Sequence, residues 1–294
     1  MRRSLAVFAV SVGLAALPAT AGATLPAAGT FAKGVNLRSV PGSVPYGIGH
    51  AVPLKGAKPS WLTLDQQQEL ARKGSGGTVP YAGPDAPLPG EVGIRPGSWE
   101  IAPYGCTMNF VFQNGSQYAI GTAGHCVDKI GQNVTLVTLA PGGANPVLVQ
   151  IGPVIARHEN GIGDDFALVA IPPALNSWVF PTEAVVGGPC GLYAGFGPET
   201  VEHYGHGLAI GTGGTPRVGV ALTWQANAFG WDGEAIFGDS GSAVRTTTFP
   251  AAGDLTHLVV DTNWLPSFIA GTRIQKMLQI AGGGWQLVNS PLCL

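Results

Sequence analysis

Charge is scarce in this chain. Of 294 residues, 15 are Lys or Arg and 17 are Asp or Glu, which is 11% in all, with a formal net charge of -2. Chains that stay unfolded combine high charge with little apolar content, and here 45% of residues are hydrophobic, so general disorder is excluded. Nucleic acid is excluded as a partner too, because neutralising phosphates takes clustered Lys and Arg. The four cysteines contain no C-x-x-C spacing, which argues against a metal site. The 45 glycines keep no three-residue period, so the chain is not collagen-like. No internal repeat stands out. Beyond the N-terminus no apolar run is long enough to cross a bilayer.

The N-terminus itself reads as an address. Arg2 and Arg3 form a positive start, residues 5–17 form an apolar core, and Ala19-Thr20-Ala21 or Ala21-Gly22-Ala23 offers a cleavage site. Residues 1–23 are therefore a signal peptide, with an uncleaved anchor as the alternative. The expected location is secreted and extracellular, with no membrane association after signal removal. In that oxidising compartment the four cysteines pair by default, in any of three ways.

The 45 glycines and 24 prolines point to many turns and an all-β body. Residues 24–92 have a different texture from the rest. Pro26, Pro41, Pro45, Pro53 and Pro59 interrupt long elements, but one helix is predicted over residues 64–72. Ser60 or Thr63 caps it, Gln66 stands three positions after Thr63, and Gly74-Ser75-Gly76-Gly77 ends it. Pro80, Pro84, Pro87 and Pro89 then make a stiff linker. The region is either a pro-segment, cleaved between Gly74 and Ser98, or an arm packed on the main domain, which spans residues 93–294. In that domain Asn114-Gly115 marks a hairpin between strands at 108–112 and 118–122. Further strands are expected at 134–139, 147–155, 166–171, 218–224 and 258–262. Residues 273–281, free of Gly and Pro, form a helix stopped by Gly282-Gly283-Gly284. Such a pattern fits a pair of small barrels or a sandwich.

Three segments carry chemistry. Gly121-Thr122-Ala123-Gly124-His125-Cys126 puts a histidine at a strand end. Gly163-Asp164-Asp165-Phe166-Ala167-Leu168-Val169 puts a carboxylate ahead of an apolar strand. Gly238-Asp239-Ser240-Gly241-Ser242 puts a serine in a glycine-flanked turn. A serine hydroxyl needs a base to become a nucleophile. Histidine can take that proton and return it to a leaving group, and a carboxylate behind the ring fixes its tautomer. Glycines beside the serine let backbone amides converge on a developing oxyanion.

In that order, T-A-G-H-C, D-F-A-L-V and G-D-S-G-S resemble the active-site motifs of chymotrypsin- and trypsin-like serine peptidases, in their bacterial secreted form; subtilisins and α/β-hydrolases order their triads differently. The resemblance covers residues 95–285. It implies two six-stranded antiparallel Greek-key barrels with a C-terminal helix. It also implies a serine endopeptidase acting through an acyl-enzyme on protein or peptide substrates, monomeric and without metal or organic cofactor. His125 would be the base, Asp165 its orienter and Ser240 the nucleophile, with the Gly238 and Ser240 amides as oxyanion hole. Cys106–Cys126 matches the disulfide that brackets the histidine in the family, which leaves Cys190 with Cys293.

An I-V-G-G-like start, expected where zymogens are activated, is missing. In relatives the new N-terminus pairs with the Asp before the nucleophile, here Asp239; Arg217 or Arg245 would have to substitute. Glu234 and Thr262 fall at specificity-pocket positions, and an inward Glu234 would favour Lys or Arg substrates; a surface carboxylate is the alternative. Asp164 reads as a solvated turn residue, and His203 and His206 as loop residues, not metal ligands. Two rival functions remain: an inactive binding protein of the same fold, and an esterase-type hydrolase using the same triad.

Overall fold

The strand pattern of the sequence is realised almost wholly as antiparallel sheet. The structure, a computed structural model, describes residues 35–84, 91–207 and 215–293, so the expected signal peptide at 1–23 and part of the proline-rich linker lie outside the described residues. The N-terminal segment holds β1 (Val44–Tyr46), β2 (Gly49–Pro53), α1 (Leu64–Lys73) and β3 (Thr78–Pro80). The first half of the main body holds β4 (Trp99–Ala102), β5 (Cys106–Thr107), β6 (Val111–Asn114), β7 (Gln117–Thr122), β8 (Val134–Leu139), β9 (Pro146–Ile151), β10 (Val154–Glu159) and β11 (Asp165–Ile171). The second half holds β12 (Glu199–Gly205), β13 (Thr215–Trp224), β14 (Ala228–Asp232), β15 (Ala243–Thr246), β16 (Ala251–Asp254), β17 (His257–Asp261) and β18 (Pro266–Thr272), then α2 (Ile274–Ala281) and β19 (Gln286–Leu287).

Among the described residues these strands make three sheets. The first half's strands split into β5-β4-β8-β9-β3 and β10-β11-β7-β6-β19, joined by β3 of the N-terminal segment and by β19, and the second half's strands with β1 and β2 form β1-β2-β17-β18-β14-β13-β12-β15-β16. The antiparallel all-β body with a C-terminal helix is thus what the chain adopts. The two five-stranded sheets enclose one core, with Met108, Val111 and Ile120 meeting Leu136, Val149 and Val169. The nine-stranded sheet wraps another, built on Trp231, Phe229, Val244, Leu258 and Ile269. Alternation explains both: in each strand every second side chain points inward, and there the apolar residues sit. A third cluster, with Phe110, Phe166, Ile274 and Met277, seats α2 between the halves.

Local signals set the boundaries. Thr63 accepts from the Gln66 amide while the Gln66 side chain takes the Thr63 amide, a complete capping box for α1. The hairpin turns at Gly115-Ser116, where Gly115 has φ +58°. The run at 147–155 divides into β9 and β10 because Gly152, at φ +137°, and Pro153 stand in its middle. Both disulfides are present, Cys106–Cys126 closing 20 residues and Cys190–Cys293 closing 103. Loops of such lengths stabilise by about 3 and about 4.7 kcal/mol in the chain-entropy view.

The N-terminal segment is woven into the body. β2 pairs along β17 and β3 pairs along β9, while Leu62, Leu70 and Val79 pack on Trp99 and Leu148.

Candidate functional site

The site lies where the two halves meet. After β7 the chain makes one turn, Gly124–Cys126, that carries His125. This turn admits only glycine at 124, since a Cβ there would stand 1.7 Å from the His158 carbonyl oxygen. The Cys106–Cys126 disulfide fixes its far end. Asp165 opens β11, and its backbone amide donates to Thr272 Oγ1 at 3.2 Å. Ser240 follows Gly238, whose φ of +105° favours glycine, in the loop between β14 and β15.

Three side chains from these separate elements form one line. Asp165 Oδ2 lies 2.6 Å from His125 Nδ1, Asp165 Oδ1 accepts the His125 amide at 2.9 Å, and His125 Nε2 lies 2.8 Å from Ser240 Oγ. Ser240 Oγ also stands 3.0 Å from the Thr256 carbonyl. Burial pushes the Asp165 carboxyl up, but the charge and hydrogen bonds of His125 outweigh it, so its pKa is lowered and the carboxylate is favoured. With Nδ1–H directed at that carboxylate, Nε2 is left as the acceptor facing the hydroxyl.

Around this line the sequence expectations fall out unevenly. Asp239 takes its cation from Arg217, whose Nη1 lies 3.0 and 2.9 Å from the two carboxylate oxygens; the amides of Gly207 and Ile236 add a bond each. Arg245 is engaged elsewhere, with Glu202 at 2.6 Å and Glu183 at 3.5 Å. Asp164 is half-buried and holds His158 and Lys276 at 2.8 and 3.1 Å, so it is an ion-paired corner more than a solvated turn. His203 lies within β12, not in a loop, and its Nε2 donates to the Glu234 carbonyl at 2.9 Å. His206 stands just after that strand, with Nε2 2.7 Å from Glu91 Oε1. Glu234 is half-buried, and no ion pair to its carboxylate is seen among the described residues. Thr262 is exposed in the turn after β17. The register there sets Asp261 against Gly49, so Thr262 lies past the end of the pairing and away from Ser240.

His257 belongs to none of the three motifs, yet it sits against the line. Its Nδ1 is 3.6 Å from Asp165 Oδ2 and 2.9 Å from Thr256 Oγ1. Burial lowers its pKa to about 4, so it packs there as a neutral ring. In the sequence its only signal was its place at the head of the predicted strand 258–262. His125, Asp165 and His257 do present ligand atoms within 4.8 Å of one another. A cation there would have to break the Asp165–His125 hydrogen bond, so the donor set fits proton handling better than metal binding.

Glu100, under β7, accepts from Thr122 Oγ1 at 3.0 Å and is fully buried; burial holds its carboxyl well above the usual range. The folded chain therefore keeps a proton that the unfolded chain releases, and this group's contribution to stability falls as pH rises above the ordinary carboxyl value. Glu100→Gln should gain on the parent, by up to about 1.4 kcal/mol per pH unit, between about pH 5 and about pH 7. Thermal melts at both pH values check this; parallel curves would show that the carboxyl is ionised in place.

No protein-family model and no curated protein matches the chain. Solved structures do resemble it. Thermobifida fusca protease A is 20% identical, with a TM-score of 0.45, over 68% of this chain and 98% of that one. A glutamic acid specific serine protease is 14% identical, with a TM-score of 0.46, over 66% of this chain and 100% of that one. A thermostable serine protease from an extremophilic microorganism is 13% identical, with a TM-score of 0.43, over 60% and 91%.

Proposed function

We propose that this chain is a serine endopeptidase that acts outside the cell. The observation that carries the reading is the unbroken run of contacts at 2.6 and 2.8 Å from a buried carboxylate through an imidazole to a serine hydroxyl. In this reading His125 removes the Ser240 proton as Oγ attacks a peptide carbonyl, and Asp165 stabilises the imidazolium that forms. The tetrahedral oxygen turns to the Gly238 and Ser240 amides. The Gly238 amide is free of any strand ladder and donates into the cleft, at 2.6 Å to the Leu54 carbonyl. His125 then passes its proton to the leaving amine, and water releases the acyl group by the same steps reversed.

The Arg217–Asp239 pair supports an active site over a collapsed binding protein. It holds the turn that precedes Ser240 without needing a new N-terminus. A fluorophosphonate should add one label, at Ser240, and Ser240→Ala should take none. Casein and a short ester, compared at equal enzyme, separate peptidase from esterase. Absence of labelling in a folded chain freed of its N-terminal segment would make this a binding protein.

A further inference from the structure

The cleft is occupied by the chain's own residues 49–56. β2 runs antiparallel to β17, with Pro53 opposite His257 and Val52 opposite Leu258. At the next residue the ladder turns toward Ser240: the Leu54 amide donates to the Thr256 carbonyl at 3.1 Å, the same oxygen that Ser240 Oγ approaches at 3.0 Å. The Leu54 carbonyl in turn accepts from the Gly238 amide at 2.6 Å. Beyond the Leu54–Lys55 bond the chain crosses to the other half, where Gly56 and Gly105 exchange hydrogen bonds at 2.6 and 3.1 Å. Lys55 Nζ reaches the His125 carbonyl at 3.2 Å and lies 3.8 Å from the centroid of the Tyr104 ring. The Leu54–Lys55 bond is thus held from both sides, with the Leu54 carbonyl at the Gly238 amide and the Lys55 side chain at the His125 carbonyl.

The Leu54 side chain has no exposed surface and belongs to the apolar cluster of Trp231, Ala235, Leu255 and Leu258. Ser240 has none either, and its hydroxyl meets the same Thr256 carbonyl as the segment's Leu54 amide. Without β1 and β2, β17 would be the edge of its sheet and a ready template for an extended peptide, and here this stretch of the chain is that peptide.

We propose that residues 49–56 are an internal substrate that plugs the cleft, that the primary pocket selects leucine-sized aliphatic side chains, and that Ser240 cleaves the Leu54–Lys55 bond of its own chain. This rests on the peptidase reading above. In the step, Ser240 Oγ bonds to the Leu54 carbonyl carbon while its proton moves to His125 Nε2. The bond to the Lys55 nitrogen then breaks and that nitrogen takes the proton, leaving Lys55 as a free amine. Water hydrolyses the Leu54 ester and restores the Ser240 hydroxyl. The new amine has no salt bridge to supply at Asp239, since Arg217 already stands there. The bond differs from the window between Gly74 and Ser98 that composition suggested, because the segment's seat is set by a strand far away in sequence.

The test uses the full secreted chain in four forms: unaltered, Ser240→Ala, Leu54→Asp and Lys55→Pro. Under denaturing conditions the unaltered chain should yield a fragment beginning at Lys55, and Ser240→Ala should not. Lys55→Pro keeps Leu54 seated but makes a poor scissile bond, so it should stay whole and label slowly. Leu54→Asp, with its pocket anchor spoiled, should label about tenfold faster than Lys55→Pro. The processed enzyme should cleave Ala-Val-Pro-Leu anilide about a hundredfold better than the Arg or Glu analogue, whose charge would be buried unpaired. An unaltered chain that labels at Ser240 yet keeps the 54–55 bond, or that prefers Arg or Glu, overturns the inference and leaves the peptidase standing. A folded Leu54→Asp chain that takes no label removes both. If Leu54→Asp fails to fold, the fragment and the peptide preference still decide.

Discussion

Asp165→Asn should slow peptide hydrolysis by about 10⁴-fold in kcat while leaving the fold intact. The side chains are nearly the same size, and the Asp165 backbone bonds to Thr272 do not involve the carboxylate. What changes is the tautomer. An asparagine amide can present its NH₂ to His125 Nδ1, which drives the ring proton to Nε2, where it faces Ser240 and cannot accept. It also leaves the imidazolium without a buried counter-charge. The stability cost has a definite sign: a carboxyl whose pKa is lowered on folding stabilises above its unfolded value, and this is lost as pH falls through the folded one. The difference in stability between parent and variant should therefore shrink in acid, whereas the loss of rate persists near neutrality. In the proposed mechanism His125 and Ser240 act as one unit with Asp165, so combining Asp165→Asn with Ser240→Ala should add little to the serine change alone. A loss below about tenfold would mean that the 2.6 Å contact orients nothing that matters to the reaction.

How much of this was legible in the sequence follows from distance along the chain. Motifs that act through their neighbours were readable: the turn at Gly124 and His125, the glycines around Ser240, the Thr63 and Gln66 cap, the stop at Gly282. Each is decided within a few residues by sterics or a local hydrogen bond. Strand positions were readable where β-branched and aliphatic residues run together between turn residues, as at Val134–Leu139. The segment at 147–155 misled because apolar side chains continue through Gly152 and Pro153 while the ladder does not.

Pairing partners were a different matter. Whether Arg217 or Arg245 meets Asp239 depends on which face of β13 or β15 each occupies, and the two strands flank β12 on opposite sides. The seat of residues 49–53 was beyond reach for the same reason, since nothing near them in sequence names β17 as their partner. Thr262 falls at a specificity-pocket position only by resemblance, and the turn that ends β17 exposes it. His257 carried no motif at all.

Arg217→Met should destabilise the chain by about 3–5 kcal/mol, the usual result of removing one partner of a buried charge pair. Asp239 is fully buried, and Arg217 is its one cationic partner among the described ion pairs. Two amides, from Gly207 and Ile236, would remain on the carboxylate, enough to hold its place but not to balance its charge. Urea midpoints would read the loss. Adding Asp239→Asn should recover part of it, since a neutral pair of similar volume leaves no uncompensated charge. Activity should fare worse than stability in that double variant. The Ile236-to-Asp239 turn sets the Gly238 amide at φ +105°, and a donor rotated out of the cleft typically costs about 10² in kcat or more. If Arg217→Met costs less than about 1 kcal/mol, the pair behaves as a solvated surface contact and some other group fixes the turn. A chain that keeps full rate in the double variant would show that the Gly238 amide needs no charge behind it.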